Sequence, residues 1–256
     1  MTLAQLENDF VEQLLPLYGI DEAKSLAWLT INHVSKIDRS QYLLQKQEVL
    51  SLEKQTSLYQ ILNELKIGKP LQYILGQTEF YGLPFIVNSS VLIPRPETEE
   101  LVHWILKSLS DQSIISGKFC VLDIGTGSGC IPIALKKNLP NIHAFGVDVS
   151  PIALETALKN ATLNEVEVEF IQDDILNACS EILNAKYDVI VSNPPYVRLS
   201  EKNLMHANVL DYEPHLALFV SDDKPLIFYE AIADFALAHL SEEGKLFFEI
   251  NEGSFL

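Results

Sequence analysis

Apolar and polar positions alternate with two different periods along this chain. Over the first ~75 residues apolar side chains recur every three or four positions, the spacing of one helical face. Leu3, Leu6, Phe10, Leu14 and Leu17 form such a stripe. It predicts a helix ended by Gly19, with Asp21 as N-cap of the next. Further helices are expected over about 21–35 (with Leu26, Leu29 and Val34 apolar), 38–50 and 53–67, the last stopped by Gly68-Lys69-Pro70. Residues 77–93 change character. Aromatic and β-branched residues flank Gly82-Leu83-Pro84 and Asn88-Ser89-Ser90, which predicts a hairpin. Pro96 and the acids after it then suit a helix N-terminus.

From about residue 117 strand-like runs alternate with helical ones. Strands are expected at 119–124, 143–148, 167–171, 187–192 and 245–250, with helices at 129–138, 150–163 and 224–240. Such alternation implies βαβ units and a mainly parallel sheet. The expected organisation is an α/β protein: a helical bundle over 1–75, a hairpin linker over 76–95, and a Rossmann-like domain over 96–256.

Chemistry enters where two of these strands end. The first runs into Asp123-Ile124-Gly125-Thr126-Gly127-Ser128-Gly129, a turn that faces the ligand crevice of a doubly wound sheet. The spacing fails the dinucleotide fingerprint, because counting from Gly125 the third glycine would fall at Cys130. No Gly-Lys pair is followed by Ser or Thr, so a P-loop fails as well. The next strand-end acid, Asp148, suits the two hydroxyls of a ribose. Asp123 suits an ammonium group. Ribose, ammonium and no pyrophosphate describe S-adenosylmethionine. Asp174 stands where an adenine amino group would donate, and Ile175 where a ring would pack. A tight βα turn and ordinary loop residues are the plain alternatives.

The second strand end is Asn193-Pro194-Pro195-Tyr196. Two prolines cannot donate to a ladder and make a stiff turn. A planar –NH₂ nitrogen is a poor nucleophile because its lone pair is delocalised. Accepting its protons at the Asn193 side-chain oxygen and the Pro194 carbonyl favours the pyramidal nitrogen of a transition state. Tyr196 offers a flat face to a planar group. By itself the turn is also a common strand stop.

Composition narrows the partners. The net charge is −17, and residues 81–256 carry 25 acids against 11 bases. That is the opposite of the basic stripe expected for direct nucleic-acid binding. Three cysteines (Cys120, Cys130, Cys179) are too scattered for a disulfide framework or a zinc knuckle. The N-terminus has no basic leader and no apolar run approaches a bilayer span, so a cytoplasmic protein without membrane contact is expected. The histidines form no H-E-x-x-H pair, and His215 reads as an exposed loop residue. Cys130 reads as a packed thiol.

Asn193 to Tyr196 resembles the N-P-P-Y signature of amino-group methyltransferases. With 71–82 (LQYILGQTEFYG), 91–102 (VLIPRPETEELV), 121–135 (VLDIGTGSGCIPIAL), 188–197 (DVIVSNPPYV) and 211–219 (DYEPHLALF), the chain resembles the HemK/PrmC family. These are protein-(glutamine-N5) methyltransferases that modify peptide chain release factors. The resemblance implies that Gly125–Gly129 and Asp148 bind S-adenosyl-L-methionine and that Asn193–Tyr196 hold the glutamine amide of a Gly-Gly-Gln loop. It further implies that Leu92 lines the glutamine channel and that Arg95 and Glu97 orient the linker. Release factors are then the partner, and a monomer is expected. A ribosomal-protein glutamine and an inactive cofactor-binding remnant are the alternatives. Family members continue past the segment ending near 252 with a helix and a strand hairpin. A chain stopping at Leu256 is therefore expected to lack the last strands and to expose a sheet edge.

Overall fold

The computed structural model describes residues 1–109, 119–177 and 185–250, so Cys179 lies outside the described residues. The chain forms two compact units, one of Met1–Leu75 with Ala207–Tyr212, the other of Gly76–His206 with Glu213–Leu256.

The first unit contains α1 (Leu3–Leu14), α2 (Ile20–Ser35), α3 (Arg39–Gln45), α4 (Leu52–Leu65) and α5 (Leu71–Leu75). Leu3, Leu6, Phe10 and Leu14 are buried as their spacing demands, against Ala27, Ile31, Leu58 and Leu62. Thr2 and Gln5 close a capping box at the start of α1. Three sequence expectations are corrected. Leu17 lies past the end of α1 and is exposed, and Leu29 is exposed too. The buried residues of α2 are Ala23, Ala27, Thr30, Ile31 and Ser35, while Leu26 and Val34 pack half-buried against the same core. Gly19, in extended conformation, is the N-cap of α2, which leaves Asp21 in the first turn, where its charge suits the helix dipole. The helix expected over 38–50 stops at Gln45. The cause lies far upstream in the chain: the carbonyls of Lys46 and Glu48 accept from the free first-turn amides of Ala4 and Leu3.

The second unit opens with a hairpin of β1 (Gln77–Phe80) and β2 (Leu83–Ile86). It is shorter than the sequence pattern suggested. Tyr81 and Gly82 both have positive φ, which matches strand twist in a two-residue turn, so Leu83 and Pro84 belong to the strand. Next come α6 (Pro96–Leu109), β3 (Cys120–Ile124), α7 (Cys130–Asn138), β4 (His143–Asp148), α8 (Pro151–Leu163), β5 (Val168–Gln172) and β6 (Tyr187–Ser192). A two-residue ribbon, β7 (Val197–Arg198) with β8 (Phe219–Val220), brackets α9 (Ala207–Tyr212, which groups with the first unit) and α10 (His215–Leu218). The chain then forms α11 (Ile227–His239) and β9 (Leu240–Phe248).

The central sheet has the order β5-β4-β3-β6-β9, and every pairing is parallel. Alternate residues of its strands face opposite layers. Val121, Val189 and Val191 pack with Ile105 and Ile133 of α6 and α7. Leu122 and Ile190 pack with Ile232 and Ala236 of α11 on the other face. β9 starts five residues before the expected strand because its register slips opposite Tyr187–Val189. Ser241 donates to Asp188 there, at 2.9 Å. Chain direction across the sheet reverses between β3 and β6, and such a switch point opens a crevice at the strands' carboxyl ends. Among the described residues no helix is long and apolar enough to cross a membrane.

Candidate functional site

A cavity of about 270 Å³ lies in that crevice, wholly within the second unit. The turns after β3 and β6 both line it.

The turn after β3 is shaped by glycine. Gly125 and Gly127 have φ of +75° and +53°, with open space where a side chain would project. The Gly125 and Thr126 amides donate to the Val147 carbonyl at 2.8 and 2.9 Å, which ties the turn to β4. Gly127 donates to Oδ2 of Asp148 at 2.8 Å, and Ser150 donates to its Oδ1 at 2.9 Å. One carboxylate is thus held by two backbone amides while its remaining lone pairs stay available at the cavity wall. Burial nonetheless raises the Asp148 pKa. Gly146 on β4 is needed for close packing, since a Cβ there would come within 2.9 Å of Phe170 and the Thr126 hydroxyl.

Beneath the turn, Asp123 is almost completely buried, and neither carboxylate oxygen has a hydrogen-bond partner. Burial pushes its pKa up to about 7; the nearby Thr126 hydroxyl lowers it and the Asp148 charge raises it further. Asp123 and Gly129 underlie the turn, whereas Gly125 to Ser128, Asp148, Asp174 and Ile175 line the cavity itself. The Asp174 oxygens also accept from Leu176 and Asn177, fixing the short turn that carries Ile175.

The turn after β6 stands opposite. Ser192 Oγ donates to the Ile124 carbonyl at 2.6 Å, which joins the ends of β3 and β6. Asn193, Pro194 and Pro195 line the cavity, as does Leu92; Tyr196 is outside the lining. Tyr196 is half-buried, and burial pushes its phenol pKa up. Asn193 Nδ2 donates to Thr98 Oγ1 at 3.3 Å. Arg95 also lines the cavity and pairs with Glu213 at 2.5 Å, inside the second unit. Glu97 is exposed on the first turn of α6.

Three residues carry parts of this site that sequence reasoning missed. Asn160, fully buried on α8, donates to the carbonyls of Ser128 and Ile86 and accepts from the Ile86 amide. It fastens the glycine turn to the hairpin. Thr98, 95 residues upstream, accepts from Asn193 and donates to Glu249, which lies just past the end of β9. Thr98 falls within the 91–102 segment without being singled out there, and no motif marks Asn160 or Glu249. His215 is exposed. Cys130 is buried, and its thiol pKa is pushed up to about 12 by that burial, which suits packing rather than nucleophilic chemistry.

The cavity is acidic. Buried or half-buried Asp123, Asp148 and Glu249 surround it, and Arg95 is the single cationic residue lining it among the described residues. An unpartnered buried carboxylate, a backbone-held carboxylate and a glycine cradle open to the cavity fit a cationic nucleoside. They fit an anionic pyrophosphate poorly.

Comparison with known proteins places these features in context. Residues 9–76 match the family described as PrmC N-terminal domain, and residues 103–216 the family described as Methyltransferase small domain. A Flavobacterium psychrophilum protein named release factor glutamine methyltransferase is 48% identical over 98% of this chain and 87% of its own length. Proteins of the same name from Bacteroides thetaiotaomicron and Streptococcus pneumoniae are 44% and 40% identical. They are matched over 94% and 98% of this chain and 84% and 85% of their own lengths.

Proposed function

The chain belongs to the release factor glutamine methyltransferase family, and on that premise we propose that it methylates the side-chain amide nitrogen of a release-factor glutamine. The glutamine is that of the Gly-Gly-Gln motif, and the donor is S-adenosyl-L-methionine. The observation that carries this reading is the placement of two unlike turns on one acidic cavity. One is rich in glycine and carboxylate; the other presents an asparagine whose amide nitrogen is already engaged.

Asp148 would hold the ribose hydroxyls, with its carboxylate kept in place by the Gly127 and Ser150 amides. Asp123 would balance the ammonium from below the turn. Asp174 and Ile175 would meet the adenine. When bound, S-adenosyl-L-methionine supplies an electrophilic methyl on a cationic sulfur.

The chain's own residues act on the glutamine. Asn193 Oδ1 and the Pro194 carbonyl accept the two amide protons. Both acceptors interact best with a nitrogen turning pyramidal and positive, so they stabilise the transition state more than the flat ground state. The two prolines hold that geometry without cost at the moment of reaction. No strong base is needed beforehand, because the methylated nitrogen is acidic and loses its proton afterwards. Leu92 and the apolar rim exclude water. The helical unit over 1–75, with exposed Leu43, Leu44, Val49 and Leu52, docks the protein substrate in this reading.

Incubating an unmethylated release factor with this protein and methyl-labelled S-adenosyl-L-methionine tests the proposal. Label should enter the release factor and be absent from a variant whose Gly-Gly-Gln glutamine is alanine. Equal labelling of both would overturn it.

A further inference from the structure

Asn193 is useful to a substrate amide in only one of its two flips, with the oxygen outward. A side chain that swings freely about its last bond would spend much of its time with the wrong atom forward. The surroundings of Asn193 decide between the flips by counting protons.

The Thr98 hydroxyl is buried on the first turn of α6 and has one proton. It donates that proton to Glu249 Oε2 at 2.6 Å, because an ionised carboxylate only accepts. Toward Asn193, Thr98 then has a lone pair and nothing to donate. Asn193 must meet it with Nδ2, at 3.3 Å, which leaves Oδ1 on the other side of the amide. We propose that Thr98 and Glu249 are positioning residues, which orient the Asn193 amide through the direction of this hydrogen-bond chain so that its oxygen faces the substrate nitrogen. The inference rests on the methyl-transfer reading for the identity of that nitrogen.

The carboxylate end of the chain is itself anchored. The Glu249 amide donates to the Ser192 carbonyl at 3.1 Å, and its carbonyl accepts from the Tyr229 hydroxyl at 3.0 Å. The ends of β6 and β9 and the start of α6 therefore meet at one point, beside the turn that reacts.

Ionisation sets the direction. Were Glu249 protonated, it would donate to Thr98, and Thr98 would donate onward and draw Oδ1 inward. Burial raises the Glu249 pKa above the ordinary carboxylate range; the Thr98 hydrogen bond lowers it, as do the Asn193 amide and Arg95, and the Glu97 charge raises it. The Tyr196 and Tyr229 phenols and the Cys130 thiol, which face Glu249, are all pushed upward and stay neutral through the acid range, and Arg95 is paired with the buried Glu213. Turnover at saturating cofactor should accordingly fall as pH drops through the raised Glu249 pKa.

The test compares Thr98→Val, Thr98→Ser and Glu249→Gln in the full chain, with cofactor binding and thermal unfolding as checks of folding. Thr98→Val should lower kcat about tenfold while leaving the cofactor KM in place, and Thr98→Ser should restore most of the rate. Glu249→Gln should flatten the acid limb of the kcat profile. A second readout is independent of substrate: the Asn193 side-chain amide resonance, assigned by its loss in Asn193→Asp, should shift in Thr98→Val and titrate in the wild type. Equal kcat for Thr98→Val and Thr98→Ser, or an amide resonance indifferent to Thr98 and to pH, would overturn the proposal. Absence of methyl transfer by the wild type would instead overturn the methyl-transfer reading, and the resonance would still decide the orientation of the amide.

Discussion

The turns after β3 and β6 end neighbouring parallel strands and line one cavity, yet they are built from opposite materials. The first uses glycines at positive φ, which leave the cavity wall open and let a backbone amide hold the Asp148 carboxylate. The second uses two prolines, which have no amide to offer and little freedom to lose. A cradle for a cofactor needs room and donors. A cradle for a nitrogen that must change shape needs rigid acceptors. In the proposed reading the shared crevice sets the place, and the contrast in backbone chemistry separates the two roles.

The sharpest way to break this division is Asn193→Ala. Turnover should fall by about 10²- to 10³-fold, the size of effect seen when a preorganised polar group at a reacting centre is removed. Cofactor affinity should hold, and calorimetry beside a rate assay separates the two. Asp148→Ala should do the reverse. Loss of charge-assisted hydrogen bonds should weaken cofactor binding by about 10- to 100-fold, while turnover at saturation changes little. A loss of affinity in the first variant equal to that in the second would merge the two turns into one site.

Asp123 gives a subtler separation, because its burial without a hydrogen-bond partner is costly to the free protein. Its folded pKa, about 7, is raised from the ordinary carboxylate value. Between those two values the folded chain holds a proton that the unfolded chain has lost, so stability falls as pH rises through that window. Asp123→Asn should remove this dependence and stabilise the free protein above pH 7 by on the order of a few kcal/mol. It should also weaken cofactor binding. Thermal unfolding across pH, with and without cofactor, reads both effects. The smallest effect expected is that of Ser192→Ala, which removes one side-chain hydrogen bond from the still-paired ends of β3 and β6. It should cost about 1–2 kcal/mol in denaturant unfolding, leaving both turns assembled.

The same contrast explains what the sequence made legible. Glycine spacing, the acid 23 residues on and the double proline are local chemistry, and they were readable in full. So was the βα alternation, because each strand is a short apolar run with its own turn signals. Partners that act across the fold were not readable. Thr98 stands in the expected helix start and Glu249 in the expected strand over 245–250, and nothing local links them. Asn160 becomes meaningful only once α8 lies against the glycine turn. The register slip within β9 and the early stop of α3 share that cause. Each is set by a neighbour distant in sequence, Tyr187–Val189 in one case and the α1 amides in the other. In α2 the apolar positions Leu26 and Val34 do pack against the core and Leu29 does not. The most deeply buried face uses alanines, which an apolar stripe of bulky residues does not mark.

The most direct measurement is site-resolved mass spectrometry of an unmethylated release factor treated in parallel with the wild-type chain and with Asn193→Ala, both saturated with S-adenosyl-L-methionine. The expected result is one added methyl group on the glutamine of Gly-Gly-Gln with the wild type, and almost none with the variant. Methyl on that glutamine from both proteins at similar rates, or none from a folded, cofactor-saturated wild type, would contradict the assignment of the Asn-Pro-Pro-Tyr turn as the site of transfer.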